Sequence, residues 1–179
     1  EHLEMVDAAQ MATLAALGVV ASVQPVFDAW WGGSSGMYVD RLGADRARAM
    51  NPFAALLAAG VPLAFGSDAP VTPLGPWAAV RAAVGHRTAG SGVPEEVALA
   101  AHTAGGHRAA GDSAPLAGRL VPGAPASYAV WELGDDLGDE LRVHQRRHRT
   151  GAPYSGRQDR WQQHFHVHVS ADFRRQETA

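Results

Sequence analysis

The sequence predicts an α/β fold whose strands run parallel. Two short apolar segments, 19–23 and 61–66, alternate with helical segments along the first 110 residues, and this alternation is typical of βαβ units. The second apolar segment runs directly into Ser67-Asp68. A carboxylate that follows a buried parallel strand lies at its carboxyl end, where α/β barrels keep their chemistry. The sequence therefore predicts a functional site at one edge of a parallel sheet.

Capping signals mark the ends of the predicted helices. Asp7 is suited to cap a first helix, and Gly18 is suited to end it. Asn51 and Pro52 provide an N-cap and a first residue for a later helix. The predicted helices cover residues 8–17, 45–50, 52–59, 77–86, 94–102 and 107–110.

The segment 27–38 contains three glycines and two serines, and it is predicted to be a long, mobile loop. It carries the aromatic pair Trp30 and Trp31, for which two roles are weighed equally: a lid over a substrate, or aromatic packing within the loop. Farther on, Arg46 either faces an anionic group of a substrate or simply solvates its helix.

Composition excludes several classes of partner. The net charge is −3, so no global basic field attracts nucleic acid or an anionic membrane. The chain has no cysteine, which excludes disulfides and thiolate metal sites. No apolar run approaches the roughly 20 residues of a membrane helix, and no signal peptide is visible. We expect a cytoplasmic protein that acts on a small-molecule substrate.

The last part of the chain differs from the rest in composition. Residues 128–131 are predicted to form a strand, and residues 134–179 form a polar tail rich in Arg and His. This tail has few aliphatic side chains, so we expect it to be largely disordered. Its basic character also supports an alternative function, in which the chain is a non-catalytic interaction module whose tail binds an acidic partner.

These segments together resemble the C-terminal third of the metal-dependent amidohydrolases, and most closely amidohydrolase family 3, which includes N-substituted formamide deformylase-like enzymes. The similarity covers residues 1–133. It is carried by Glu1-His2 ahead of a helix and VVASVQP at 19–25, by Gly43 and Arg46, by NPFAALLAAGVPLAFGSDAPV at 51–71, by His102-Thr103, and by GRLVPGAPASYAVWE at 118–132.

The resemblance implies part of a (β/α)8 barrel of the TIM type together with a strand of a small β domain. Residues 1–112 would hold barrel strands six to eight and their helices, residues 113–133 would return into the small β domain, and residues 134–179 would be the tail. A complete barrel takes about 250 residues. The family's His-x-His on strand one and its ligands on strands four and five have no counterpart in this sequence, so we expect an inactive C-terminal fragment.

The resemblance also implies the roles of individual residues. His2 matches the metal-binding histidine that ends strand six, and Asp68 matches the aspartate that ends strand eight, contacts the metal and takes a proton from the attacking water. The implied cofactor is a divalent metal, zinc, and the implied reaction is hydrolysis of a non-peptide C–N bond of amide or formamide type. Trp30, Trp31 and Arg46 are the candidate substrate contacts. Without this context, Asp68 would be a turn residue and His2 a solvated side chain.

Overall fold

A computed structural model describes residues 1–125, 128–131 and 143–144 of the chain. Contacts divide the chain into two compact units, Glu1–Arg119 and Leu120–Ala179. The division of the chain into 1–112, 113–133 and 134–179 stays a prediction. None of the helices in the described part is long and apolar enough to cross a membrane.

The first unit alternates helices with two short strands, which confirms the mixed α/β class. Its elements in chain order are α1 (Ala8–Ala16), β1 (Ala21–Val23), α2 (Pro25–Trp31), α3 (Met37–Leu42), α4 (Ala44–Arg48), α5 (Phe53–Ala58), β2 (Leu63–Phe65), α6 (Pro76–Val84), α7 (Glu95–His102) and α8 (Ala104–Ala109).

Strands β1 and β2 are hydrogen-bonded neighbours and run parallel, as the βαβ pattern predicts. Ala21 lies opposite Leu63, and Val23 lies opposite Phe65. The pairing continues past β2, where the backbone N–H of Gly66 donates to the carbonyl oxygen of Val23 at 3.0 Å. Both strands are shorter than the apolar segments that predict them, but the parallel arrangement is confirmed. Whether they belong to a closed barrel stays a prediction.

The core of the first unit surrounds β2, whose three residues are all buried. Helices α5, α7 and α8 pack against this strand. The ring of Phe53 on α5 lies 5.9 Å from the ring of Phe65, and the ring of His102 on α7 packs edge-on against Phe65 at 5.6 Å. The strand is therefore covered by helices, as expected for a parallel pair.

Helix α1 begins where the sequence predicts. Asp7 accepts a hydrogen bond of 2.8 Å from the backbone N–H of Gln10, and the Gln10 side chain accepts one of 2.9 Å from the backbone N–H of Asp7. This reciprocal capping box satisfies donors that the first turn of a helix leaves unpaired. Gly18, just past the helix, adopts a positive φ of 66°, which glycine tolerates without strain.

The prediction of a mobile loop over 27–38 is wrong, because most of this segment is helical. Helix α2 runs through Trp31, and α3 starts at Met37. Gly32 ends α2, and a Cβ there would lie 2.6 Å from the carbonyl oxygen of Asp28. Glycine is required at this position because the backbone turns tightly against α2, whereas the sequence alone suggested mobility.

The predicted N-cap role of Asn51 is also wrong. Helix α5 starts at Phe53 with Pro52 as its cap, and no side chain caps its first turn. Asn51 is buried with a φ of 52°, and its side-chain amide donates to the hydroxyl of Tyr38 at 3.5 Å. The side chain therefore bonds to α3 and does not cap the helix that follows it.

The second unit is described for only a few residues. Strand β3 (Val130–Trp131) pairs antiparallel with β4 (Val143–His144), with Val130 opposite His144. The strand predicted over 128–131 is confirmed for its last two residues. The disorder predicted for 134–179 concerns, apart from β4, residues that lie outside the described part of the chain.

Candidate metal site at the strand ends

The carboxyl ends of β1 and β2 form one edge of the parallel pair. Gln24 follows β1, and Ser67-Asp68 follow β2 after Gly66. The N-terminal segment lies at the same edge, because the backbone N–H of His2 donates to the carbonyl oxygen of Ser22 at 2.8 Å. The prediction that the His2 segment lies beside the strands is therefore confirmed for β1, whereas the prediction that His2 and Asp68 share one ion stays a prediction.

The hydrogen bonds of β1 show on which side His2 lies. The N–H of Ala21 donates to Pro62 at 2.8 Å, and the carbonyl of Val23 accepts from Gly66. In a parallel pair the residue between them, here Ser22, points its N–H and C=O to the other lateral side of its strand, away from the paired strand. His2 bonds that intervening residue, so it lies across β1 from β2.

The imidazole of His2 is held from two directions. Its Nδ1 lies 3.0 Å from Oε1 of Gln24, and its ring stacks on Phe27 with the centroids 6.1 Å apart and the planes at 13°. The Gln24 side chain is only 3% exposed, and its Nε2 donates to the Glu1 carboxylate at 3.0 Å. A buried amide therefore connects Glu1 to the ring of His2.

Asp68 lies exposed on a turn that a buried threonine braces. The hydroxyl of Thr72, which is fully buried, donates to the carbonyl oxygen of Ser67. The backbone N–H of Val71 donates to the carbonyl oxygen of Asp68 at 2.8 Å. These bonds fix the turn from its interior, so the carboxylate of Asp68 remains on the surface at the end of β2.

Both predicted metal ligands adopt a backbone conformation that is rare for residues with a side chain. The φ of His2 is 69° and that of Asp68 is 53°. Each such residue costs on the order of 1–3 kcal/mol, and such strain clusters at functional sites. Leu3 and the buried Asn51 share this conformation, so the strain is compatible with a functional role for His2 and Asp68 but is not specific to them.

A buried polar network anchors the segment that carries His2. The hydroxyl of Tyr38 donates to the carboxylate of Glu4, and the backbone N–H of Asn51 donates to the carbonyl oxygen of Glu4 at 2.9 Å. Burial, and then the hydrogen bond to Glu4, raises the pKa of Tyr38 above its ordinary range, so the phenol stays protonated and remains a donor. Helix α3 thereby holds Glu4, two residues from His2.

A second buried pair, Asp28 and His86, is sealed from solvent, with side chains 2% and 1% exposed. Nδ1 of His86 accepts from the backbone N–H of Thr88 at 3.0 Å, so its Nε2 donates to the carbonyl oxygen of Asn51 at 3.0 Å. Burial raises the pKa of Asp28, while the hydrogen bond from the Arg87 backbone N–H opposes that rise. This pair joins α2 to the segment that follows α6 and so braces the fold.

The three predicted substrate contacts lie in different surroundings. The ring of Trp31 packs at 4.6 Å from Phe27 and 6.2 Å from Tyr38, which favours the packing role over the lid. Trp30 is 53% exposed. Arg46 is exposed, with a guanidinium nitrogen 3.6 Å from the sulfur of Met5, which favours solvation. A substrate role for Trp30, Trp31 and Arg46 stays a prediction.

The described residues supply part of a metal site. Among them, no three His, Cys, Asp or Glu side chains are grouped closely enough to hold a metal ion. His2 and Asp68 offer one imidazole and one carboxylate, which are the ligand types that zinc takes, but a catalytic zinc needs three protein ligands. The donor set fits a metal in kind but is incomplete within this part of the chain.

Comparison with known proteins identifies the family. The model of the amidohydrolase family matches residues 1–159, so the chain belongs to the amidohydrolase family. No protein of curated function matches the chain.

Two solved structures resemble the chain. One, described as an uncharacterized metal-dependent hydrolase from Pyrococcus furiosus, is 27% identical with a TM-score of 0.60 over 82% of this chain. The other, described in the same words and from Pyrococcus horikoshii OT3, is 28% identical with a TM-score of 0.59 over 82% of this chain. The chain spans only 27% and 28% of the lengths of these two proteins.

Proposed function

We propose that this chain forms part of a metal-dependent hydrolase that cleaves non-peptide C–N bonds of the amide or formamide type. In this proposal His2 is a metal ligand, and Asp68 is both a metal ligand and the acceptor of a proton from the attacking water. The family membership and the two resembling hydrolases support the reaction class. One observation carries the assignment: Asp68 follows the carboxyl end of β2, and His2 is hydrogen-bonded beside β1, the strand paired with β2.

The spacing of the strands is compatible with a shared ion. Across the sheet, the order is the His2 segment, then β1, then β2. Asp68 follows β2, so β1 lies between the two residues. Neighbouring strands are about 4.8 Å apart, so positions two strands apart are separated by roughly 10 Å across the sheet. Asp68 also lies three residues beyond the end of β2, so in this proposal its carboxylate extends back towards the imidazole to reach the same ion.

The bound metal would supply a water molecule whose pKa is lowered towards ~7. The Asp68 carboxylate would take the proton of that water on one of its oxygens and pass it to the leaving amine. The turn braced by Thr72 would hold this carboxylate in place, and the stacking on Phe27 would hold the His2 ring. These groups would orient and move protons at fixed positions, as a preorganised site requires.

The missing ligands would come from outside the described residues. The described part groups no three ligands, and the ligands that the family carries on strands one, four and five have no counterpart in the sequence. We therefore propose that the 179-residue chain alone holds a metal weakly and does not hydrolyse amides. Zinc is the metal that the imidazole and carboxylate pair favours. The protein would be cytoplasmic and its substrate a small molecule, with Trp30, Trp31 and Arg46 as candidate contacts.

Zinc binding to the chain tests the two ligands. We expect His2→Ala and Asp68→Asn each to weaken Zn²⁺ binding by about tenfold or more in calorimetry, since changes even to residues around the ligands cost that much. The matched controls are His107→Ala and Asp45→Asn, which lie on α8 and α4 and should bind like the wild type. Equal weakening in the controls would contradict the assignment.

Activity is tested separately. We expect the 179-residue chain with added Zn²⁺ to show no hydrolysis of simple amides or formamides above the blank. Robust zinc-dependent turnover that disappears in Asp68→Asn would overturn the proposed inactivity of this chain while supporting the reaction class. Turnover that persists in Asp68→Asn would instead overturn the role of Asp68.

A further inference from the structure

We infer that Gln24 is a positioning residue that fixes the tautomer and direction of the His2 imidazole, so that Nε2 is the nitrogen available to a metal. This inference rests on the proposed function, since it concerns how the proposed ligand is prepared. It is carried by a chain of three side chains, Glu1, Gln24 and His2, in which each hydrogen bond restricts the next.

The first step is the orientation of the Gln24 amide. Its Nε2 lies 3.0 Å from the carboxylate of Glu1, and an ionised carboxylate only accepts hydrogen bonds. The NH2 group of Gln24 must therefore face Glu1, which turns the amide oxygen towards His2. Because Gln24 is 3% exposed, solvent has little access to replace this oxygen.

The second step is the tautomer of the imidazole. The amide oxygen of Gln24 only accepts, so Nδ1 of His2, 3.0 Å away, carries the hydrogen. A neutral imidazole with its hydrogen on Nδ1 has its lone pair on Nε2. This is the less common tautomer of free histidine in water, so the protein has to select it.

The third step is rigidity. Gln24 stands between β1 and α2, and its backbone carbonyl accepts from the N–H of Phe27 at 3.0 Å. The side chain that orients His2 and the ring on which His2 stacks thus belong to one short, hydrogen-bonded segment. Metal-ligating histidines usually donate their other N–H to an oxygen that fixes the ring, and Gln24 is placed to accept that hydrogen bond.

The test is the tautomer of His2 in the metal-free chain. Its ring nitrogens are observed by ¹⁵N NMR at a pH well above the ordinary imidazole pKa of about 6.5. In the wild type we expect hydrogen on Nδ1. In Gln24→Met, which keeps the shape but removes the acceptor, we expect hydrogen mainly on Nε2.

An exposed residue gives a second variant that leaves the core intact. Glu1→Ala removes the group that orients the Gln24 amide, so we expect a shift of the His2 tautomer in the same direction as in Gln24→Met. His107, whose Nδ1 lies 2.8 Å from the Asp112 carboxylate, is the internal control and should not change. A wild-type His2 with hydrogen on Nε2, or one that neither variant alters, overturns the inference.

Addition of Zn²⁺ separates this inference from the proposed function. If His2 is a ligand, Zn²⁺ should shift its Nε2 signal in the wild type, and more Zn²⁺ should be needed for the same shift in Gln24→Met. If the tautomers behave as expected but Zn²⁺ leaves His2 unchanged, Gln24 still orients the ring while the metal role of His2 fails. Equal Zn²⁺ dependence in both proteins would overturn the preparatory role of Gln24.

Discussion

The backbone N–H of Arg87 donates a 2.7 Å hydrogen bond to Oδ2 of Asp28, which lies 59 residues earlier in the chain. The same carboxylate oxygen lies 3.5 Å from Nδ1 of His86. The bond ties the segment that follows α6 to α2, the helix that begins directly after Gln24. Asp28 thus stabilises the segment on which the candidate site is built, although it takes no part in the site itself.

The first prediction concerns the pH dependence of stability. Burial raises the pKa of Asp28 above its ordinary value of 3.8, so the folded state binds this proton more tightly than the unfolded state. The contribution of this group is fully present below pH 3.8 and is lost as the pH rises through the folded pKa. We expect Asp28→Asn to remove this decline with pH, as measured by urea unfolding across the acidic range.

The exposed Asp40 on α3 provides the matched control for this measurement. Asp40→Asn should leave the pH profile of the unfolding free energy close to that of the wild type. If Asp28→Asn and the wild type follow parallel profiles, burial does not control the ionisation of Asp28.

The second prediction concerns the end of α2. A Cβ on Gly32 would lie 2.6 Å from the carbonyl oxygen of Asp28 and would also meet its carboxylate. We expect Gly32→Ala to lower the free energy of unfolding by about 1–3 kcal/mol, as overpacking does. Gly106→Ala in α8, where a Cβ meets nothing within 4 Å, should instead be neutral or raise stability by up to about 1 kcal/mol. Equal effects would contradict the close contact.

The third prediction concerns the anchor of the N-terminal segment. Tyr38→Phe removes the hydroxyl that donates to Glu4 and that accepts from Asn51. Because both partners lose a hydrogen bond, we expect the free energy of unfolding to fall by about 1–3 kcal/mol. A double-mutant cycle with Glu4→Ala, which removes the acceptor, isolates the pairwise energy, and strictly additive effects would show that the two side chains are not coupled.

The fold was predictable from the sequence where short-range signals, such as helix caps, agree with the long-range alternation of strands and helices. The pairing of β1 and β2 follows from alternating apolar and helical segments. The bounds of α1 follow from Asp7 and Gly18, because capping signals depend only on contacts within a few residues along the chain. The helices around Gly32 were missed because a glycine that avoids a clash looks the same in a sequence as a glycine that provides mobility. Only the packing against Asp28 distinguishes the two.

The candidate site was predictable only in part for a similar reason. His2 and Asp68 were identified because their order and spacing resemble a family, not because either residue is distinctive alone. Gln24 looked like the end of a strand, yet it bonds a ring 22 residues earlier. Such contacts join residues that are far apart in the sequence and share no periodic pattern. The only sequence signal for a role of Gln24 was therefore a polar residue placed directly after a buried strand.

The last prediction concerns His102, whose Nε2 is buried with no hydrogen-bond partner in the described part of the chain. Burial lowers its pKa from 6.5 to about 4, so the unfolded state takes up this proton first. The stability it contributes is present above pH 6.5 and is lost as the pH falls towards 4, by roughly 3 kcal/mol at most.

We expect His102→Phe, which keeps an aromatic ring against Phe65, to remove that loss without lowering stability at pH 7. Chemical unfolding between pH 4 and 7 measures both effects, and His107→Ala should retain the wild-type loss on the acid side. If His102→Phe loses stability between these pH values as steeply as the wild type, the protonation of His102 does not limit the acid stability of this fold.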